Sequence, residues 1–213
     1  MENLIYILFI CITIPLVLMT FLLEAKSRRI VIFFITGICA AVFAAEINGI
    51  LLKVIPLSVF DFTTRVTPIT EEIIKAAPVL FFAKTISNKR EDLITVALSV
   101  GIGFAVMENT YVLVQNVENV SLLWSVIRGL GTGIMHGMGT FLVGVGFVFA
   151  NRNKKIFATL TFALLSLSIT YHAVFNMLVQ SKFRYVGAAL PVITYVPFVL
   201  WINYNRRKRS VNR

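Results

Sequence analysis

Apolar residues run along this chain in long, nearly unbroken stretches parted by short polar loops, a pattern that predicts membrane-spanning helices. A hydrocarbon core about 30 Å thick is crossed by about 20 apolar residues of helix. Seven stretches reach or nearly reach that length: about 4–23, 30–52, 69–86, 93–114, 123–149, 156–180 and 186–204. The third is the shortest, and Thr67-Pro68 before it supplies a cap and a first-turn proline. The loop at 53–68, with Pro56, Phe60, Asp61 and Phe62, reads as a short interfacial helix or a lid. The expected fold is an all-α, polytopic transmembrane bundle of about seven spans. Without repeats or low-complexity segments, residues 1–213 form one integral-membrane domain whose chemistry-bearing core is 69–180 and whose basic tail is 205–213.

Composition agrees with the pattern. The chain is 58% hydrophobic and 14% charged, against roughly 45–50% and 25% in soluble domains. Cys11 and Cys39 lie in apolar runs without disulfide or zinc spacing and are expected to be buried thiols. The first stretch has no basic residue before it and no small-residue cleavage site after it, so it is expected to be a span rather than a signal peptide.

The net charge of +10 changes the picture only through its distribution. If alternate loops share a side, fourteen basic residues fall on one: Lys26, Arg28, Arg29, Lys84, Lys89, Arg90, Arg152, Lys154, Lys155 and five in the tail from Arg206 to Arg213. Lys53, Arg65, Lys182 and Arg184 fall on the other. This positive-inside bias puts the N-terminus outside, the C-terminus in the cytoplasm and the protein in the cell membrane as a multi-pass chain. Attraction to anionic lipid is a secondary effect, and nucleic acid is not an expected partner.

Charges inside membrane spans are costly enough to mark function. The spans hold Glu46, Glu71, Glu72, Glu108, Lys75, Arg128 and the chain's two histidines, His136 and His172, with Asn176 one turn after the second. Glu71 and Lys75 are i, i+4 neighbours, with Glu72 beside them. Two carboxylates sharing one ammonium suit a division of labour in acid–base chemistry; a charge-neutral structural cluster is the bland reading. Arg128, Thr132 and His136 share a helix face, as do Ser168, His172 and Asn176. Glu46, near Asn48, has no partner motif and reads as packing or gating. Counting 1.5 Å per residue, Glu71 and Glu72 fall roughly 5 Å from the outer end of their span, Glu108 and His172 roughly 10–12 Å and His136 roughly 20 Å. Tilt would let them meet in the outer half of the bilayer. The fifth span is glycine-rich, and Gly129, Gly133 and Gly137, at spacing four, predict close approach of another helix.

EEIIK at 71–75, FAVME at 104–108 followed by Asn109, His136, and HAVFN at 172–176 resemble the motif series of the PrsW family of membrane proteases, related to the CAAX-prenyl endopeptidases. The resemblance implies an intramembrane endopeptidase that cuts a membrane-anchored protein, in known members an anti-sigma factor. Glu71 and Glu72 match the essential glutamate pair, Lys75 the basic residue after it, and His136, His172 and Asn176 the later positions. Glu108 stands where CAAX relatives carry histidine. Chemically, Glu71 or Glu72 can take a proton from water, with His136 or Glu108 orienting it and His172 with Asn176 serving the oxyanion; Lys75 and Arg128 support. His136, His172 and Glu108 also make a three-ligand zinc set with an open position. Lys75 opposes a dication there, so metal-free glutamate catalysis stays open. A proton- or ion-coupled transporter or a membrane scaffold are the competing readings, but repeats and paired broken helices are not visible. No Gly-x-Ser-x-Gly, HExxH or catalytic cysteine motif is present.

Overall fold

The computed structural model describes residues 3–152 and 154–211; the side chains of Arg152, Lys154, Lys155 and the basic tail lie outside the described residues, as do Met1 and Glu2. The chain is all-helical: α1 (Leu4–Thr20), α2 (Ala25–Val54), α3 (Val59–Arg65), α4 (Thr67–Thr85), α5 (Arg90–Gln115), a 3-10 turn (Val117–Asn119), α6 (Leu122–Arg152), α7 (Lys154–Val179) and α8 (Arg184–Val211). The seven long helices occupy the seven predicted stretches. Four are long and apolar enough to cross a membrane, within Ala25–Val54, Arg90–Gln115, Leu122–Phe149 and Thr159–Val179. α1 is apolar but shorter, and α4 carries Glu71, Glu72, Lys75 and Lys84.

The ambiguous loop at 53–68 becomes α3. Ser58 caps it, accepting from the Asp61 N–H at 3.0 Å and donating to Asp61 Oδ2 at 2.6 Å. Thr67 is not the cap predicted for α4. α3 runs almost directly into α4, so Val66 is already helical (φ −94°, ψ −50°) and no extended capping residue remains. Pro68 does sit in the first turn, where its missing N–H costs nothing.

α5 and α6 pack on each other at the centre, α2 backs α5, and α7 and α8 flank α6. α4 is wedged among α2, α5, α6 and α7. The polarity is inverted relative to a soluble domain. Lys75, Glu72, His136 and His172 are among the largest fully buried side chains, while Leu18, Phe21, Leu22 and Phe162 face outward. Apolar packing closes one end of the bundle around Val79, Phe82, Leu93, Val96, Val143 and Phe147. The thiols depart from expectation: Cys11 and Cys39 are free but exposed, on outward faces of α1 and α2 where lipid rather than protein would cover them.

Glycine does bring helices together, but of the predicted stripe only Gly137 lies at a close approach. A Cβ on Gly101 would meet the His136 carbonyl oxygen and lie 2.9 Å from Gly137 Cα, and one on Gly103 would meet the Phe34 carbonyl oxygen. Gly129 and Gly133, by contrast, have open space beside them, and Gly137 meets only the Ile102 side chain at 3.3 Å. Those three line a shallow apolar groove of about 420 Å³ between α5, α6 and α8. Opposite effects of alanine are expected. Gly133→Ala should stabilise by about 0.5–1 kcal/mol through helix propensity, whereas Gly101→Ala should destabilise by about 1–3 kcal/mol by pushing α5 off α6. Thermal unfolding in detergent reads both signs.

Candidate active site

The predicted groups meet because α4 starts beneath α3. Pro68, Glu71 and Glu72 are buried in the first two turns of α4, deeper than a helix beginning at the surface would put them. α4 contributes Glu71, Glu72 and Lys75; α5, Glu108; α6, Arg128 and His136; α7, Ser168, His172 and Asn176.

Glu72 is saturated. Its Oε1 accepts from Lys75 Nζ at 2.5 Å and from His172 Nδ1 at 2.9 Å, and its Oε2 accepts from Ser168 Oγ at 2.7 Å. Space for this exists because residue 139 is glycine: a Cβ there would fall 2.5 Å from Ser168 Oγ and 3.4 Å from Glu72 Oε2. Lys75, wholly buried, also donates to His136 Nδ1 at 2.6 Å and lies 4.7 Å from the centre of the Phe104 ring. An ammonium only donates, so His136 Nδ1 accepts and a neutral His136 carries its proton on Nε2. That nitrogen is 2.6 Å from Glu108 Oε2, to which it donates. Arg128 Nη2 holds the other Glu108 oxygen at 3.2 Å. The network thus fixes both tautomers, since His172 Nδ1 must be the protonated nitrogen to serve Glu72.

Glu71 is different. Its Oε2 is buried without a hydrogen-bond partner, and His172 Nε2 stands 3.7 Å from it. His172 Nε2 carries a lone pair once Nδ1 holds the proton. Two acceptors facing each other need a hydrogen, on the carboxyl itself or from a water, or a cation between them. Glu71, Glu108, Arg128 and Asn176 line a cavity of about 680 Å³ at the end of the bundle where α3 lies, whereas Glu72, Lys75, His136 and His172 stand behind it. The two adjacent glutamates therefore differ in surroundings: one is tied to three donors, the other faces open space.

Glu71, His136 and His172 bring a carboxylate oxygen and two ring nitrogens within 4.8 Å of one another, although both nitrogens of His136 are engaged, by Lys75 and Glu108. The unpartnered Glu71 oxygen and the free His172 Nε2 fit a metal ion, and Glu72 on His172 Nδ1 is the kind of outer carboxylate that orients a metal-binding histidine. The third ligand differs from the sequence-based set: Glu108 is occupied by His136 and Arg128, and Glu71 groups with the histidines in its place. Asn176 lines the cavity, but its Nδ2 donates to the Thr63 carbonyl of α3 at 3.0 Å. Glu46 is outside the site: it is exposed on α2, and Tyr6 of α1 donates to its Oε1 at 2.5 Å. Asn48 Oδ1 accepts instead from Thr70 on α4 at 2.6 Å.

Sequence reasoning quoted Phe104 as the first residue of FAVME but gave it no role; its ring is 5.0 Å from that of His136. Its i, i+4 spacing to Glu108 was the available signal. It also noted Ser168 without seeing it as a donor to Glu72, because nothing in the spacing along α7 specifies what stands opposite. No curated protein and no solved structure matches this chain. The model of the PrsW family intramembrane metalloprotease matches residues 26–202. With most of its length matched and a buried carboxylate–histidine cluster on four converging helices, the chain belongs to the PrsW family and is an intramembrane protease.

Proposed function

We propose that the protein cuts a membrane-anchored substrate in the segment just outside its transmembrane helix, with Glu71 as the group that takes a proton from the attacking water. The observation that carries this reading is the facing of Glu71 Oε2 and His172 Nε2 at 3.7 Å, just behind the cavity that Glu71 lines. Glu71 receives the proton and returns it to the leaving amine. Glu72, Lys75 and Ser168 keep His172 in the tautomer whose Nε2 faces Glu71. Glu108, held by Arg128 and His136, adds a second carboxylate at the cavity. Asn176 serves the oxyanion once its amide leaves Thr63.

Glu71 Oε2 and His172 Nε2 would hold a divalent cation, which when bound polarises the scissile carbonyl and acidifies water; His136, with Nδ1 taken by Lys75 and its proton on Nε2, has no free lone pair in this network. Purified protein is expected to contain about one equivalent of metal, and His172→Ala to lose it by elemental analysis. Full activity in protein shown to be metal-free would remove the cation and leave the Glu71–His172 water.

The basic-residue distribution supports an outside N-terminus and an inside C-terminus, which puts the cavity end, near α3, on the outer side. Substrate backbone must be unwound for hydrolysis, since a membrane helix hides its carbonyls in hydrogen bonds. The motif resemblance favours a single-span anti-sigma factor. Co-expression with candidate single-span proteins, followed by mass spectrometry of the product termini, is the test. Cleavage at the outer border is expected; termini at the cytoplasmic border would overturn the placement.

A further inference from the structure

The end of the bundle away from the catalytic cavity holds a recess of its own. A groove of about 510 Å³ runs between α2 and α4, bounded by Ala25, Arg28 and Arg29 at its mouth and by Thr36 and Pro78 at its deepest point. Its walls are apolar: Ile32 and Phe33 on α2, Phe81, Phe82 and Ile86 on α4. Thr36 adds no free polar group, because its hydroxyl donates to the Ile32 carbonyl at 2.9 Å. From Ala25 to Thr36 is roughly 16 Å of helix, about one leaflet of a 30 Å hydrocarbon core.

Ile32, Phe81 and Ile86 are exposed to the surroundings of the bundle. In a membrane an outward apolar groove of this depth takes up an acyl chain, and the groups at its mouth then meet that lipid's headgroup. Those groups are guanidinium ions with donors to spare. Arg28 gives Nε and Nη2 to the Leu23 carbonyl at 3.2 and 2.8 Å and has no carboxylate partner among the described residues. Arg29 is anchored by Asp92 at 2.9 Å and by the Phe82 ring, 5.5 Å from its guanidinium carbon, which holds it in place at the mouth. Each guanidinium has five N–H donors in a fork that matches phosphate. Lys26, Lys84, Lys89 and Arg90, at the same end, add to its basic groups and outnumber its acids Glu24, Glu91 and Asp92.

We infer that the groove is a binding site for one anionic phospholipid, with an acyl chain between α2 and α4 and its phosphate on Arg28 and Arg29. A free phosphate would have no use for the apolar walls, and a zwitterionic lipid would gain less from two guanidinium groups. The inference is independent of catalysis and stands or falls separately from it.

The test is native mass spectrometry of the full chain in neutral detergent, titrated with phosphatidylglycerol or phosphatidylcholine. Wild type should retain one phosphatidylglycerol in preference to phosphatidylcholine. Arg28→Gln should weaken that retention about fivefold, the effect of roughly one basic group at a membrane surface. Thr36→Trp, which fills the groove without changing charge, should abolish it. Ala25→Trp, at the exposed mouth, repeats that arm should Thr36→Trp fail to fold. Loss with Arg28→Gln but not with either tryptophan would mean diffuse attraction to a basic end and would overturn the site. Equal retention of both lipids, or displacement of phosphatidylglycerol by inorganic phosphate, would overturn it as well.

Discussion

Glu71→Gln should leave the protein folded and lower the rate of peptide hydrolysis by about 10²–10⁴-fold, the usual contribution of a positioned general base. The substitution keeps volume and shape, and the affected oxygen has no hydrogen-bond partner to lose. What disappears is the capacity to accept and return a proton beside His172. Glu72→Gln makes the instructive contrast. Its carboxylate accepts from Lys75, His172 and Ser168, so an amide there leaves a buried ammonium without a counter-charge and should cost stability along with activity. Measuring product formation and thermal unfolding on the same preparations separates the two. A Glu71→Gln enzyme that still cleaves at wild-type rate would sink the assignment of Glu71 as base.

The second large effect is expected at Lys75. Its ammonium is wholly buried, pairs with Glu72 at 2.5 Å, donates to His136 at 2.6 Å and lies over Phe104. Burying such a pair gains little, but removing one partner strands the other charge, at a cost of about 3–5 kcal/mol. Lys75→Met should therefore lower the unfolding temperature by on the order of 10 °C. Because the same ammonium selects the His136 tautomer, activity should fall in whatever fraction remains folded. The double variant Lys75→Met/Glu72→Gln should be less damaged than the sum of the single changes, since neither partner is then left alone. An unchanged unfolding temperature in Lys75→Met would mean that the network is decorative.

Long apolar runs do not need tertiary information to become helices in a membrane, because lipid offers the backbone no other hydrogen-bond partner. For that reason the seven long helices, from α1 at Leu4–Thr20 to α8 at Arg184–Val211, were readable in number and place, though α2 starts before the expected 30 and α8 runs past the expected 204. So was the set of polar side chains worth watching, since a buried charge is rare enough to stand out without a partner in view. What spacing could not specify was who faces whom. Glu71 and Glu72 are adjacent in sequence and look alike there. Only the approach of Ser168 and His172 on α7, admitted by the bare Gly139, ties one down and leaves the other facing the cavity. Gly129, Gly133 and Gly137 made the better-looking packing stripe, yet of the three only Gly137 lies at a close approach, opposite Gly101 of α5, because close approach is a property of two surfaces and the chain states only one at a time. The third partner of the histidines was decided in the same way: Arg128 on α6 holds Glu108, and the start of α4 beneath α3 carries Glu71 down to His172.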